Sequence, residues 1–335
     1  MKTDTYKRVV GILILPIRIK NNDRKDKPFY NCLLWKYIMP LIEGFDIGGT
    51  SIRAALIRNE KMIAKKTIPS TKEGHEKLFS TIQILSKEIR SSLVDEKVDY
   101  TVIGLPGPTQ DRVLLNSATL GIASPVSLEP LFHFFPNPLR FENDMKLAVK
   151  AEYFHEQGKK QDSFYVLTFS TGIGAGLVWN KKVLEGTMGE FGHIILNTHT
   201  KSPACSLGHT GCWFAYSSGF GIQKRAEKEM NQSLSTIDVF SLAKEGNAIA
   251  SSIISDARRA NAQGIGTMLN VFAVERIVVM GSIGLSQFTE IIPTVKEIQP
   301  YTIHPIPSII PTSLGDDIGL WGAYYSGVSS LLKKS

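Results

Sequence analysis

The chain has 335 residues, 43% hydrophobic and 21% charged. That is enough for one large or two medium domains with a sizeable core, and it excludes wholesale disorder. The net charge of +7 is concentrated in residues 1–38, where nine Lys or Arg face three Asp, leaving +1 for the rest. A basic nucleic-acid-binding face is therefore excluded for the body of the protein. Cys32, Cys205 and Cys212 are too few for a disulfide scaffold, so a reducing, cytoplasmic location is expected.

In residues 1–38 the longest apolar run, 9–17, is broken by Gly11 and Pro16 and reaches only about half the roughly 20 residues of a membrane span. The segment is expected to be an extension outside the core fold, dispensable for activity, with Met39 as a candidate start and no membrane partner. Residues 41–45 and 51–57 then read as two strands around a Gly-rich turn, with 62–68 as a third. Leu78, Ile82, Leu85, Ile89 and Leu93 recur at helical spacing, predicting an amphipathic helix over 76–93. Residues 100–104 form a short buried strand, 109–138 read as irregular, 139–142 as a strand and 145–155 as a helix. The pattern restarts with strands at 164–169 and 176–179 around a second Gly-rich turn. Two halves that each open with strand, Gly turn and strand predict two related α/β lobes across a cleft.

Asp46-Ile47-Gly48-Gly49-Thr50 lies between two strands, where its glycines let backbone N–H groups approach a phosphate. Thr50 adds a hydroxyl, and Asp46 a hard oxygen for a phosphate-bound Mg²⁺. Ser170-Thr171-Gly172-Ile173-Gly174-Ala175-Gly176 has a similar setting in the second half. It is not a dinucleotide fingerprint, and no P-loop motif occurs in the chain, so two phosphate turns holding one nucleotide between two lobes is the reading that remains. Glu142-Asn143-Asp144 stands at a strand-to-helix junction. There Asp144 can cap the helix or take a proton from a substrate hydroxyl. Gly189-Glu190-Phe191-Gly192-His193 precedes a Gly-rich loop with Cys205, His209 and Cys212. His193, Cys205, His209 and Cys212 are acceptable Zn²⁺ ligands, although two buried reduced thiols fit the same spacing.

In this order, these motifs resemble the ROK family of sugar kinases and sugar-responsive repressors. The resemblance runs from about residue 42 to 327. Gly104-Leu105-Pro106-Gly107-Pro108 is similar to the family's sugar-side loop, Met280-Gly281-Ser282 to its adenosine-side turn after a strand at 276–279, and Gly315 to Ala323 is also family-like. The resemblance implies a two-lobed actin-like ATPase (ribonuclease H-like) α/β fold with mixed sheets and a cleft between the lobes. The expected divisions are 1–38, 39–142, 143–316, and a C-terminal helix over 317–335 that returns to the first lobe.

The function implied is ATP-dependent phosphorylation of a hexose, first of all glucose at its 6-hydroxyl. Asp144 would be the general base. Gly107, Asn143, Glu190 and His193 would bind the sugar. Asp46, Gly48, Gly49, Thr50, Thr171, Gly172, Gly281 and Ser282 would bind nucleotide and Mg²⁺. His193, Cys205, His209 and Cys212 would hold a structural Zn²⁺. A homodimer is implied, and no nucleic-acid partner. Two departures stand out: Leu207 occupies a cysteine position of the family's zinc loop, so that either His209 replaces it or no zinc binds, and Phe214 occupies the position of a sugar-contacting glutamate. They leave an N-acetylmannosamine or other amino-sugar kinase, and a sugar-binding pseudokinase, as alternatives. A repressor of the same family would carry a winged helix-turn-helix, for which 38 residues are too short.

Overall fold

The computed structural model describes residues 40–71, 73–93, 96–155, 161–184 and 189–332. The reading of residues 1–38 as an extension lies outside the described residues. The first sheet is built from β1 (Ile42–Ile47), β2 (Ser51–Arg58) and β3 (Lys61–Pro69), with α1 (His75–Arg90) following. The helix buries Leu78, Ile82, Leu85 and Ile89, the apolar series visible in the sequence. Next comes β4 (Tyr100–Leu105). The stretch expected to be irregular instead carries a small sheet of β5 (Thr109–Gln110), β6 (Val113–Leu114) and β7 (Val126–Ser127), then α2 (Glu129–Phe134). Two-residue strands are too short for any period-2 pattern to reveal them.

β8 (Leu139–Asn143) completes the first sheet in the order β3-β2-β1-β4-β8, and α3 (Asp144–Phe154) leaves directly from its end. The second sheet repeats the plan. β9 (Phe164–Phe169), β10 (Ile173–Trp179) and β11 (Lys182–Val183) come first in the chain. A helical region follows: α4 (Trp213–Ser217), α5 (Gly219–Met230), α6 (Thr236–Lys244) and α7 (Ala248–Val271). β12 (Arg276–Met280), the short α8 (Ser282–Ser286), α9 (Phe288–Ile291) and α10 (Val295–Ile298), β13 (Ser308–Pro311) and α11 (Ile318–Leu332) finish the described chain. The sheet order is β11-β10-β9-β12-β13. In each sheet an antiparallel hairpin (β1–β2, β9–β10) is extended by two parallel strands (β4 and β8, β12 and β13).

α3 lays Met145, Ala148, Val149 and Ala151 on one face of the second sheet, against Phe164, Val166 and Val178. The opposite face is covered by α5, α6 and α7 around Trp213, which is fully buried and donates its indole N–H to Asn261 at 2.6 Å. α11 returns to the first sheet: a methyl on Gly44 of β1 would sit 3.0 Å from Ala323. The same helix touches α3, where a methyl on Gly322 would collide with the backbone of Leu147. Among the described residues, no helix is long and apolar enough to cross a membrane.

Candidate active site

The two glycine-rich turns meet. The first, Gly48–Thr50, closes with the Gly48 N–H donating to the Ser51 carbonyl at 2.9 Å. A methyl on Gly49 would strike the Thr119 side chain and lie 3.7 Å from the Thr171 hydroxyl of the second turn. That second turn is shorter than its sequence suggests, because Ile173, Gly174, Ala175 and Gly176 already belong to β10. Thr50 and Thr171 are exposed, each at the tip of its hairpin. Gly281 has φ +88°, a left-handed conformation that a side chain would strain, and it packs against the carbonyl of Phe169 at the end of β9. Ser282 is exposed just beyond it. Gly107 likewise has a positive φ and abuts the Asn116 carbonyl in the loop after β4.

Three carboxyl groups share this cleft. Asp46, next to last in β1, lies opposite Arg53 in the β1–β2 register, and the Arg53 guanidinium donates to it at 3.5 Å. Burial pushes the Asp46 carboxyl above its ordinary value against the pull of Arg53, and the nearby Asp316 and Asp317 add to the rise. A methyl on Gly319 of α11 would come within 2.7 Å of both Asp46 carboxylate oxygens, so the first turn of that helix rests on the carboxylate.

Asp144 begins α3, but the cap is Asn143, whose side-chain oxygen accepts from the Met145 and Lys146 N–H groups at 3.0 and 3.3 Å. The capping role weighed for Asp144 therefore falls to its neighbour, and the Asn143 amide nitrogen remains as the donor it could offer a ligand. The Asp144 carboxyl accepts the Met145 N–H at 2.8 Å. Burial pushes its pKa up to about 7, and the charges of Asp46 and Glu190 push in the same direction. A carboxylate with that value is matched to proton abstraction near neutral pH.

On the other wall, Glu190 is exposed, yet surrounding protein still raises its pKa by desolvation. Its carboxylate lies 3.8 Å from His193 Nε2. The His193 imidazole stacks on Phe214 with centroids 5.3 Å apart and an interplanar angle of 12°. Burial and the neighbouring His209 hold it below the usual histidine pKa. Phe214 in turn bounds the second turn, since a methyl on Gly172 would sit 3.2 Å from its ring.

His193 Nδ1 lies 3.7 Å from Cys205 Sγ and 3.4 Å from His209 Nδ1, and the three donors fall within 4.8 Å of one another. Tetrahedral zinc with ordinary bond lengths has N–N and N–S edges of about 3.4 and 3.6 Å, so this donor set fits the ion. The Cys212 thiol is fully buried beside Cys205 and lies 3.8 Å from the His209 carbonyl. Burial and then the Cys205 neighbour push it up to about 11. Leu207 is more than half exposed and takes no part. Sequence reading passed over Arg53, which the hairpin register places opposite Asp46, and Thr119, whose approach to Gly49 has no local signature.

Two sheets of the same plan, each presenting a glycine hairpin to one cleft, define the actin-like ATPase fold. The ROK family model matches residues 42–326, and the chain belongs to that family. It is an ATP-dependent sugar kinase. N-acetylmannosamine kinase of Yersinia pseudotuberculosis is 31% identical over 249 residues, covering 72% of this chain and 82% of that protein. The ROK hexokinase of Thermus thermophilus superposes with TM-score 0.72 at 24% identity, over 87% of this chain and 99% of its own. A ROK glucokinase from Streptomyces griseus, solved with glucose and AMPPNP, gives 0.71 at 22% identity, over 86% and 99%.

Proposed function

We propose that the chain transfers the γ-phosphoryl group of ATP to the 6-hydroxyl of a hexose, with Asp144 as the general base. The observation that carries this reading is the Asp144 carboxyl, held at a strand end in the cleft with its pKa pushed up to about 7. In this reading the carboxylate takes the proton from the hydroxyl as its oxygen attacks the γ-phosphorus, the bond from that phosphorus to the bridging oxygen breaks with ADP as leaving group, and the Asp144 carboxyl gives its proton to solvent once the products have departed. Asn143, Glu190, His193 and the Gly107 loop orient the ring. The turns at Gly48–Thr50 and Thr171–Gly172 hold the phosphates through backbone N–H groups and the two hydroxyls, and Gly281 and Ser282 face the nucleoside. Asp46 is the carboxylate suited to Mg²⁺, which when bound spreads the charge of the transferring group. Positioning and charge stabilisation are what this reaction needs most.

Between acceptors, N-acetylmannosamine stands ahead of glucose. The relatives at 31% identity bear that name, whereas the glucokinase and hexokinase neighbours share only 22–24%. His193, Cys205 and His209, whose donor atoms cluster, would hold a structural Zn²⁺ that fixes the loop behind His193, with the neighbouring Cys212 thiol as the fourth ligand to be tested. The deciding experiment is a coupled ADP-release assay with ATP and a panel of glucose, mannose, fructose, N-acetylglucosamine and N-acetylmannosamine. Sugar-dependent ADP from one of them is expected. Binding of a sugar without ADP release would instead establish the pseudokinase alternative.

A further inference from the structure

We propose that Glu142, with Lys150 and Ser326, is a positioning clamp for phosphoryl transfer: it fixes the strand-to-helix corner that carries Asp144 to the same helix that rests on Asp46. This rests on the kinase reading above. Glu142 is the penultimate residue of β8, two positions before Asp144, and only 4% of it is exposed. Its carboxylate is saturated with donors. Lys150 Nζ donates to both oxygens at 2.8 and 2.6 Å, the Ser326 hydroxyl donates at 2.7 Å, and Arg140 Nε forms an ion pair with the carboxylate at 2.6 Å. These partners come from three elements: Arg140 from β8 itself, Lys150 from the second turn of α3, and Ser326 from the middle of α11. Arg140 also reaches the Ser330 hydroxyl, one turn further along α11, at 3.5 Å.

Along α11 the contacts fall in sequence. Gly319 lies on the Asp46 carboxylate, Gly322 on the backbone of Leu147 one turn after Asp144, and Ser326 on Glu142. One rigid helix therefore sets the position of the Asp46 strand and of the Asp144 corner together. A buried ion pair is poor evidence for a stability role, because desolvation offsets most of its attraction and apolar residues of similar volume often serve as well. What apolar packing lacks is direction. A carboxylate that accepts three hydrogen bonds from α3 and α11 and pairs with Arg140 of its own strand fixes their register, and misplacement by about 1 Å can cost two orders of magnitude in rate.

The test compares wild type with Glu142→Gln, the charge-free pair Glu142→Gln/Lys150→Met, and Ser326→Ala, which deletes one hydroxyl. Thermal melting, kcat, and KM for ATP and sugar are read in the ADP assay. The expected result is a charge-free pair that melts close to wild type, with kcat lower by about 10- to 100-fold and both KM values little changed. Ser326→Ala should lose kcat in the same sense but less. Wild-type kcat in the folded charge-free pair overturns the proposal, as does a fall in rate that only tracks lost folding. If the double variant does not fold, unchanged kcat in Ser326→Ala overturns it alone. Wild-type protein that releases no ADP with any sugar removes the kinase reading and this proposal together.

Discussion

Asp144 is the side chain on which the proposed proton transfer depends. Its carboxyl is held near 7 by burial first and by Asp46 and Glu190 next. In the unliganded protein it is therefore half protonated around neutrality, and only the ionised form can accept a proton. We expect kcat/KM to rise with pH through an inflection near 7, and Asp144→Asn to lower kcat by roughly 10²- to 10⁴-fold with binding of sugar and ATP retained. A wild-type kcat in that variant would remove the base assignment. The sign for stability is the reverse of that for activity. A carboxyl whose folded pKa is raised favours the protonated folded state, so its stabilisation is complete below the unfolded value and is lost as pH rises toward 7. Asp144→Asn should therefore raise Tm relative to wild type at pH 8 and leave it nearly unchanged at pH 4, which calorimetry at the two pH values would check.

At the scale of elements, α11 and the loop carrying Cys205 to Cys212 make separate predictions. Gly319→Ala forces a methyl against the Asp46 carboxylate, and overpacking of this kind costs about 1–3 kcal/mol. Because the displaced group lies beside the Gly48–Thr50 turn, which holds phosphate in the proposed reading, KM for ATP should rise along with the loss of stability. Denaturant melts and initial-rate kinetics on one preparation would separate the two effects. For the loop, protein purified without chelator should carry about one Zn²⁺ per chain, and His209→Ala should lower the measured metal content. A metal-free, fully folded wild type would discard the zinc proposal. The amphipathic α1 and the two hairpins were legible in the sequence because their apolar spacing and glycine turns are local. The small sheet over β5–β7 and the helices from α4 to α10 were not. α7 is Ala-rich and buried on several faces between Trp213 and Tyr301, which leaves no single apolar stripe to read.

Over the whole molecule, phosphoryl transfer requires that the two hairpins close on one nucleotide while water is kept out. ATP hydrolysis in the absence of sugar should then be far slower than ADP release with the active acceptor. Equal rates would mean the cleft does not distinguish a sugar hydroxyl from solvent. The acceptor preference belongs to this scale too, because the wall that would read it is assembled from α3, the Glu190–His193 turn and the Phe214 ring stacked on His193.

Local residue patterns were enough to predict the order of the turns, the strand-turn-strand plan of both halves, and the candidates Asp46, Asn143, Asp144, Glu190 and His193, since each rests on residue types within a few positions of one another. They left open whether Asp144 serves as the cap of α3, and whether His193, Cys205 and His209 come close together. Those answers, with the meeting of Gly49 and Thr171 and the bridging of both carboxylates by α11, belong to tertiary structure. The reason is physical: a side chain's pKa and its donors are set by what packs against it, and here those neighbours lie up to 184 residues away, the separation between Ser326 and Glu142.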